Sequence, residues 1–389
     1  MIKEKYKKVS VIGGAGHIGL PLSCFLQNKG FEVVVIDNNS KSLNLIKKNV
    51  LTFYEKGLEE NLKTALEKGM KLSDNIEEII NTEVVIVTIG TSSNQVHIDL
   101  FEKLINDILE IISNDSLLIL RSTITMKDIN TIKSNEYFIK KNINLAYCPE
   151  RIAEGEAFEE LEELPQIVGA EEKDVQEKAK NFFQKLKIPT LSTSIEHAIF
   201  TKLFTNAYRH ASFSLANEFY NIALENKIDF EHIRELSTTD YPRLNNLPLT
   251  GYVGGPCLPK DLETFIKSYN VNNSLLNHLE NVNEKFLDNI VHKCEVIFKE
   301  KKLIQLGLSF KINSDDIRGS GSIELYKKLK RKGFEIYLVD PYINKESLDF
   351  ELFNFEDISN KTDNILISVN HDKFKKLNFD NKKVLYVEI

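Results

Sequence analysis

The segment GGPCLPKD, residues 254–261, sets a thiol, Cys257, between a glycine pair and a lysine–aspartate pair. Glycines followed by Pro256 and Pro259 read as a loop, an unusual place for a cysteine that merely packs. A loop thiol with a cation beside it is placed to react. The four cysteines, Cys24, Cys148, Cys257 and Cys294, are scattered and show no Cys-x-x-Cys or Cys/His spacing. That pattern argues against a disulfide framework and against structural zinc, and no metal is expected.

A second chemical pattern lies near the start. In VSVIGGAGHIGLPL, Gly14, Gly16 and Gly19 fit G-x-G-x-x-G between a β-branched strand and an apolar helix. The first glycine permits a tight turn, the second lets backbone approach a pyrophosphate, and the third lets helix and strand pack closely. The next strand ends at Asp37, where a carboxylate can accept ribose hydroxyls and repel a 2′-phosphate. The spacing therefore predicts an NAD site. A third set lies on an apolar helical stretch, where Lys202 and Asn206 stand one turn apart, with Arg209, Asn217 and Glu218 beyond.

These residues need a scaffold, and hydrophobic patterning supplies one. Strand-like runs EVVIVTIG, SLLILRST and INLAYCPE alternate with helical segments, which predicts a parallel, doubly wound α/β sheet. Thr91, Thr123 and Glu150 fall at strand C-termini, where such sheets bind ligands. NKGFEVVVID (28–37) is echoed by RKGFEIYLVD (331–340), so a second Rossmann-like domain is expected at the other end. Its entry loop carries Lys311 and Arg318 in place of the glycine run, which suits a different phosphate ligand. Between the two, 192–227 contains neither Gly nor Pro, and Ile199, Leu203, Ala207, Ala211, Leu215 and Phe219 recur at helical spacing. A helix of roughly 50 Å, at 1.5 Å per residue, is expected to join the sheets and bury that stripe in a homodimer. The predicted division is 1–191 for NAD, 192–295 for a central helical region with the cysteine loop, and 296–389 for the second ligand.

With 389 residues, 42% hydrophobic and 28% charged, the chain reads as a soluble globular protein. No apolar run approaches the roughly 20 residues of a membrane span, and a cytoplasmic location is expected. A net charge of −7 argues against nucleic-acid binding.

Taken in order, GGAGHIGLPL, RSTI, CPERIAEG, TKLFTNAYR, LANE, GGPCLPKD, GLSFKINSDDIRGS and LVDPY resemble the nucleotide-sugar 6-dehydrogenases over nearly the whole chain. These enzymes oxidise the C6 alcohol of a UDP-sugar to a uronic acid used in surface polysaccharide precursors. The resemblance implies that Cys257 is the nucleophile, through a thiohemiacetal and a thioester. It gives Lys202 and Asn206 the oxyanions, and Asp261 and Thr123 the water, with Glu150 and Glu154 close to the reacting carbon. The implied NAD contacts are Gly14, Gly16, His17, Ile18, Gly19, Asp37, Thr91, Thr123 and Lys260. The implied substrate contacts are Arg151, Arg209, Arg243, Gly254, Gly255, Lys311 and Arg318, the glycines leaving room for substrate. TMKDI after RSTI, GTSS at 90–93 and PLTGYVGG depart from the family pattern without removing a catalytic residue. Arg151, directly after Glu150, is more like the branch that oxidises UDP-N-acetylhexosamines, UDP-ManNAc or UDP-GlcNAc, than the UDP-glucose branch. A UDP-glucose enzyme, a one-hydride hydroxyacid dehydrogenase and a sugar-nucleotide-binding protein without chemistry stay as alternatives.

Overall fold

The computed structural model describes residues 6–91, 95–343 and 349–387, and the GTSS departure falls partly outside them. The chain divides into two compact units, Met1–Phe204 and Thr205–Ile389.

In the first unit, among the described residues, eight strands form one sheet: β1 (Lys8–Ile12), β2 (Glu32–Ile36), β3 (Lys71–Ser73), β4 (Val84–Val87), β5 (Leu117–Leu120), β6 (Asn144–Tyr147), β7 (Gln166–Gly169) and β8 (Thr190–Thr193). Their order is β3-β2-β1-β4-β5-β6-β7-β8, the doubly wound arrangement. The runs VVIV and LLIL are buried at every position, as strands covered on both faces must be. One pairing departs from the parallel expectation: β6 meets β7 antiparallel, Tyr147 opposite Gly169. The chain thus leaves β6 and enters β7 at the same end, which keeps the connecting 148–165 segment with Glu150 and Glu154 at the carboxyl edge of the sheet.

The first turn is tight. Gly13, one residue before the first glycine of the fingerprint, is the one with left-handed backbone, at φ +76°. A Cβ on Gly19 would lie 2.3 Å from the Gly13 carbonyl oxygen and 2.6 Å from Gly14 Cα. Only glycine lets the helix Gly19–Asn28 start so close to the strand.

The long helix spans Ile195–Glu225, close to the expected 192–227. Its apolar residues do not form the single outward stripe that spacing suggested. Ile199, Leu203 and Ala207 are buried at 1%, 0% and 3% exposure, whereas Leu215 and Phe219 are 51% and 52% exposed. The exposed apolar face is Phe200, Phe204, Tyr208, Leu215, Phe219 and Ile222. The helix is apolar on more than one side, so periodicity alone could not say which side turns inward.

The second unit holds a four-stranded parallel sheet of β9 (Lys302–Leu306), β10 (Glu335–Val339), β11 (Asn364–Ile367) and β12 (Lys383–Tyr386), in the order β10-β9-β11-β12. It repeats the start of the first unit atom for atom in places. Gly13 and Gly307, at φ +76° and +86°, each follow the first strand, and their N–H groups donate to Ile36 and Val339 at 2.9 Å. Asp37 accepts from Ala15 N–H at 3.1 Å, and Asp340 from Leu308 N–H at 2.8 Å. Thr88 and Ser368 each hydrogen-bond back to the turn carbonyls.

Candidate active site

In the first unit the glycine turn leads into the helix Gly19–Asn28, whose positive end faces the turn and favours an anion there. Gly16, where an added Cβ would come within 3.4 Å of Gly13 O, keeps the turn open to a ligand. Asp37 is half-buried at the end of β2, and its other oxygen accepts from Asn39 N–H at 3.0 Å. The carboxylate is therefore held rigidly beside the turn. His17 stacks on Phe53 at 4.1 Å between ring centres, and Ile18 is the residue before the helix. Thr91 donates its hydroxyl to Thr123 O at 2.6 Å, so the ends of β4 and β5 are tied together. This turn, helix end and acid fit a dinucleotide.

The loop after β6 is pinned by carboxylates. Glu150 Oε1 accepts from the N–H groups of Arg151 (2.7 Å) and Ile152 (2.9 Å). Glu160 accepts from Ala153 N–H at 2.5 Å, and the buried Glu55 accepts from Gly155 (2.8 Å) and Ala157 (3.0 Å). The other Glu150 oxygen is ion-paired with Arg121, whose Nη1 donates to Gln166 Oε1 at 2.7 Å. Burial pushes the Glu150 carboxyl up, but the Arg121 charge and the donated hydrogen bonds outweigh it and hold the group below the usual range. Both Glu150 oxygens are thus engaged inside the protein. Arg151, expected at the substrate, instead donates its guanidinium to Pro165 O. Glu154 is half-buried on the same loop. Arg121, Gln166 and Glu55 were not anticipated, although an arginine ending the apolar run LLIL was a visible signal.

On the long helix Lys202 is half-buried and Asn206 is buried one turn later. Within the second unit, Asn206 Nδ2 donates to Asp261 Oδ2 at 2.6 Å. Asp261 is 1% exposed, and Lys260 Nζ stands 3.5 Å from its Oδ1. Asp261 N–H donates to Cys257 O at 2.9 Å, closing the first turn of the helix Leu258–Ser268. Cys257 is the residue directly before that helix and is exposed, at an end that favours negative charge. Cys24, Cys148 and Cys294 are buried, and burial pushes each thiol up to about 12. The accessible thiol is the one the loop motif singled out.

The glycines before it are not open space. A Cβ on Gly254 would lie 2.4 Å from Gly319 O, and one on Gly255 would lie 2.7 Å from the Phe310 ring. Gly255 N–H also donates to Gly319 O at 3.0 Å. The 308–319 loop fills the space a side chain would need at either glycine. Lys311 is half-buried on that loop. Arg318 forks onto the buried Asp316, Nε at 2.9 and 3.0 Å and Nη2 at 2.5 Å. Arg209 and Arg243 are exposed, the latter over the Tyr241 ring at 5.5 Å. Among the described residues no cluster of His, Cys, Asp and Glu could hold a metal ion.

Three models of the UDP-glucose/GDP-mannose dehydrogenase family match the chain: its NAD binding domain at residues 7–187, its central domain at 196–285 and its UDP binding domain at 304–387. A UDP-N-acetyl-D-mannosamine dehydrogenase from Methanococcus vannielii is 30% identical over 96% of this chain and 88% of its own. Another from Methanocaldococcus jannaschii is 30% identical over 97% of this chain and 88% of its own. The solved structure of the UDP-N-acetyl-mannosamine dehydrogenase Cap5O from Staphylococcus aureus superposes with a TM-score of 0.84 at 27% identity, over 97% of this chain and 94% of that one.

Proposed function

The chain belongs to the UDP-glucose/GDP-mannose dehydrogenase family, an NAD-dependent oxidoreductase with a UDP-binding domain, and from that premise we propose that it oxidises UDP-N-acetylmannosamine at C6. The sugar is chosen on the names of its relatives and on the PERIAEG segment, with UDP-GlcNAc and UDP-glucose as the competitors. We divide the chain functionally as 1–191, 192–295 and 296–389.

Cys257 carries the proposed mechanism, being the accessible thiol and standing at a helix N-terminus. The alcohol loses a proton and a hydride to give the aldehyde. Cys257 Sγ adds to the aldehyde carbon and the oxygen takes a proton, giving a thiohemiacetal that cannot diffuse away. Loss of a second proton and hydride leaves a thioester, and water cleaves it to the acid and the free thiol. NAD supplies the hydride acceptor twice, so each sugar yields two NADH. Lys202 and Asn206 stabilise the negative oxygen that forms in these steps. Asn206 also orients Asp261, whose carboxylate takes the proton from the hydrolytic water. Glu150 positions the 151–157 loop rather than moving protons, since both its oxygens are already engaged. Glu154, half-buried on the same loop, is assigned to act near the reacting carbon.

The exposed Phe200–Ile222 face is too apolar for a free helix surface, and we assign it to a second copy in a homodimer. Among the described residues no helix is long and apolar enough to cross a membrane. We place the enzyme in the cytoplasm, where nucleotide sugars and NAD are available. A panel of UDP-ManNAc, UDP-GlcNAc and UDP-glucose, read by NADH absorbance, tests the substrate. UDP-ManNAc should give the highest kcat/KM. A clear preference for UDP-glucose would reassign the substrate, and NADH from no UDP-sugar would leave a binding protein without chemistry.

A further inference from the structure

At the carboxyl edge of the second sheet, a buried imidazole ties three loops together. His371 is 0% exposed and directly precedes the short helical turn Asp372–Lys376. Asn313 N–H donates to its Nδ1 at 2.8 Å. A ring nitrogen that accepts carries no proton, so the ring proton sits on Nε2. Nε2 faces Asp340 Oδ2 at 3.1 Å and Ser309 Oγ at 3.4 Å. Asp340 in turn accepts from Leu308 N–H at 2.8 Å, and Ser309 Oγ donates to Lys311 O at 2.7 Å. The turn bearing Lys311 is therefore fastened on both sides, at Leu308 through Asp340 and at Asn313 through His371. Asn313 is itself locked by Asp372, donating to Oδ2 at 2.6 Å and accepting from its N–H at 3.0 Å.

In the first unit the equivalent acid, Asp37, stands half-buried at the strand end and accepts from Ala15 and Asn39 N–H. In the second, the His371 ring packs against an acid whose side chain is fully buried, and Asp340 accepts from Leu308, Tyr342 and Ile343 N–H. We propose that His371 is the positioning residue of the UDP-sugar site: by accepting from Asn313 N–H it fixes the 308–313 turn and so aims Lys311 at the diphosphate. This rests on the reading that the second unit binds a UDP-sugar. A lysine on a loose turn must be ordered by the ligand at an entropic cost, whereas a pre-set turn has met that cost in folding.

The test is calorimetric binding of UDP and of NAD to the full-length protein, with steady-state kinetics, for the wild type, His371→Leu and His371→Asn. In His371→Leu the Kd for UDP and the KM for UDP-sugar should rise about tenfold, the worth of one good hydrogen bond. Its Kd for NAD should stay within twofold, and kcat at saturation within about threefold. His371→Asn, which can still accept from Asn313 N–H, should recover UDP affinity to within about threefold of wild type. If His371→Leu does not fold, Ser309→Ala carries the test, with UDP affinity expected to fall about threefold. Unchanged UDP affinity in the folded variant, or a parallel loss of NAD and UDP affinity, overturns the proposal while leaving the UDP-sugar reading intact. A wild type that binds NAD but no UDP overturns that reading, and the proposal with it.

Discussion

Glu150 shows most plainly what a single residue can and cannot announce. Its place after a buried strand and before a loop marks it as a site carboxylate, and the resemblance puts it near the reacting carbon. What it does depends on Arg121 and on the backbone of Arg151 and Ile152, and the Arg121 partnership joins residues 29 apart in the chain. No local pattern reveals such a pairing, because the ion pair exists only once β5 and β6 lie side by side. Glu150→Gln leaves Arg121 buried without its counter-charge, which costs about 3–5 kcal/mol. A urea-unfolding midpoint near the wild-type value would contradict that. Because the folded carboxyl is held below its ordinary value, near 4.3 for glutamate, its stabilisation is present above that pH. It is lost as the pH falls through the folded value. The wild type should lose stability in acid below about pH 4, and Glu150→Gln should lose less over the same interval. Acid titrations of both by circular dichroism give the comparison.

Among the elements, the glycine turn was the most legible, because its chemistry is local. Three glycines between a β-branched strand and an apolar helix admit few other structures. Even here Gly13, which carries the left-handed backbone, lay outside the motif as read, since GG gives no local reason to prefer one residue over the next. Gly19→Ala should raise the Kd for NAD more than tenfold, because its Cβ would collide with backbone at 2.3 and 2.6 Å and the turn must open. Fluorescence titration with NADH reads this, and an affinity within twofold of wild type would show the turn to be more yielding than it looks. The glycines before Cys257 were legible only as a need, not as a cause. Their sequence says bare backbone is needed, but only the fold shows that Gly319 and Phe310 are what need it. The doubly wound sheet followed from alternation, whereas the antiparallel β6–β7 pairing did not, since a short strand of buried residues carries no sign of its direction.

At the scale of the whole molecule, the two Rossmann-like units were visible as an echo of sequence, NKGFEVVVID and RKGFEIYLVD, and the structure extends that echo to matching hydrogen bonds. The apolar face of the long helix was legible as apolar but not as a direction, because the core takes one side of the helix and leaves another exposed. If that exposed face joins two copies, Leu215→Glu with Phe219→Glu should shift sedimentation from a dimer toward a 44.6 kDa monomer. A wild type that sediments as a monomer at micromolar concentration would remove the dimer. The proposed mechanism has Cys257, the accessible thiol, hold the sugar between two hydride transfers, and counting NADH per UDP-sugar consumed tests it most directly. The wild type should give two NADH per sugar and the acid. Cys257→Ser should give at most one, with little acid, because a serine hydroxyl is a poor nucleophile without its own base. Two NADH per sugar from Cys257→Ser at near wild-type rate would contradict the covalent mechanism.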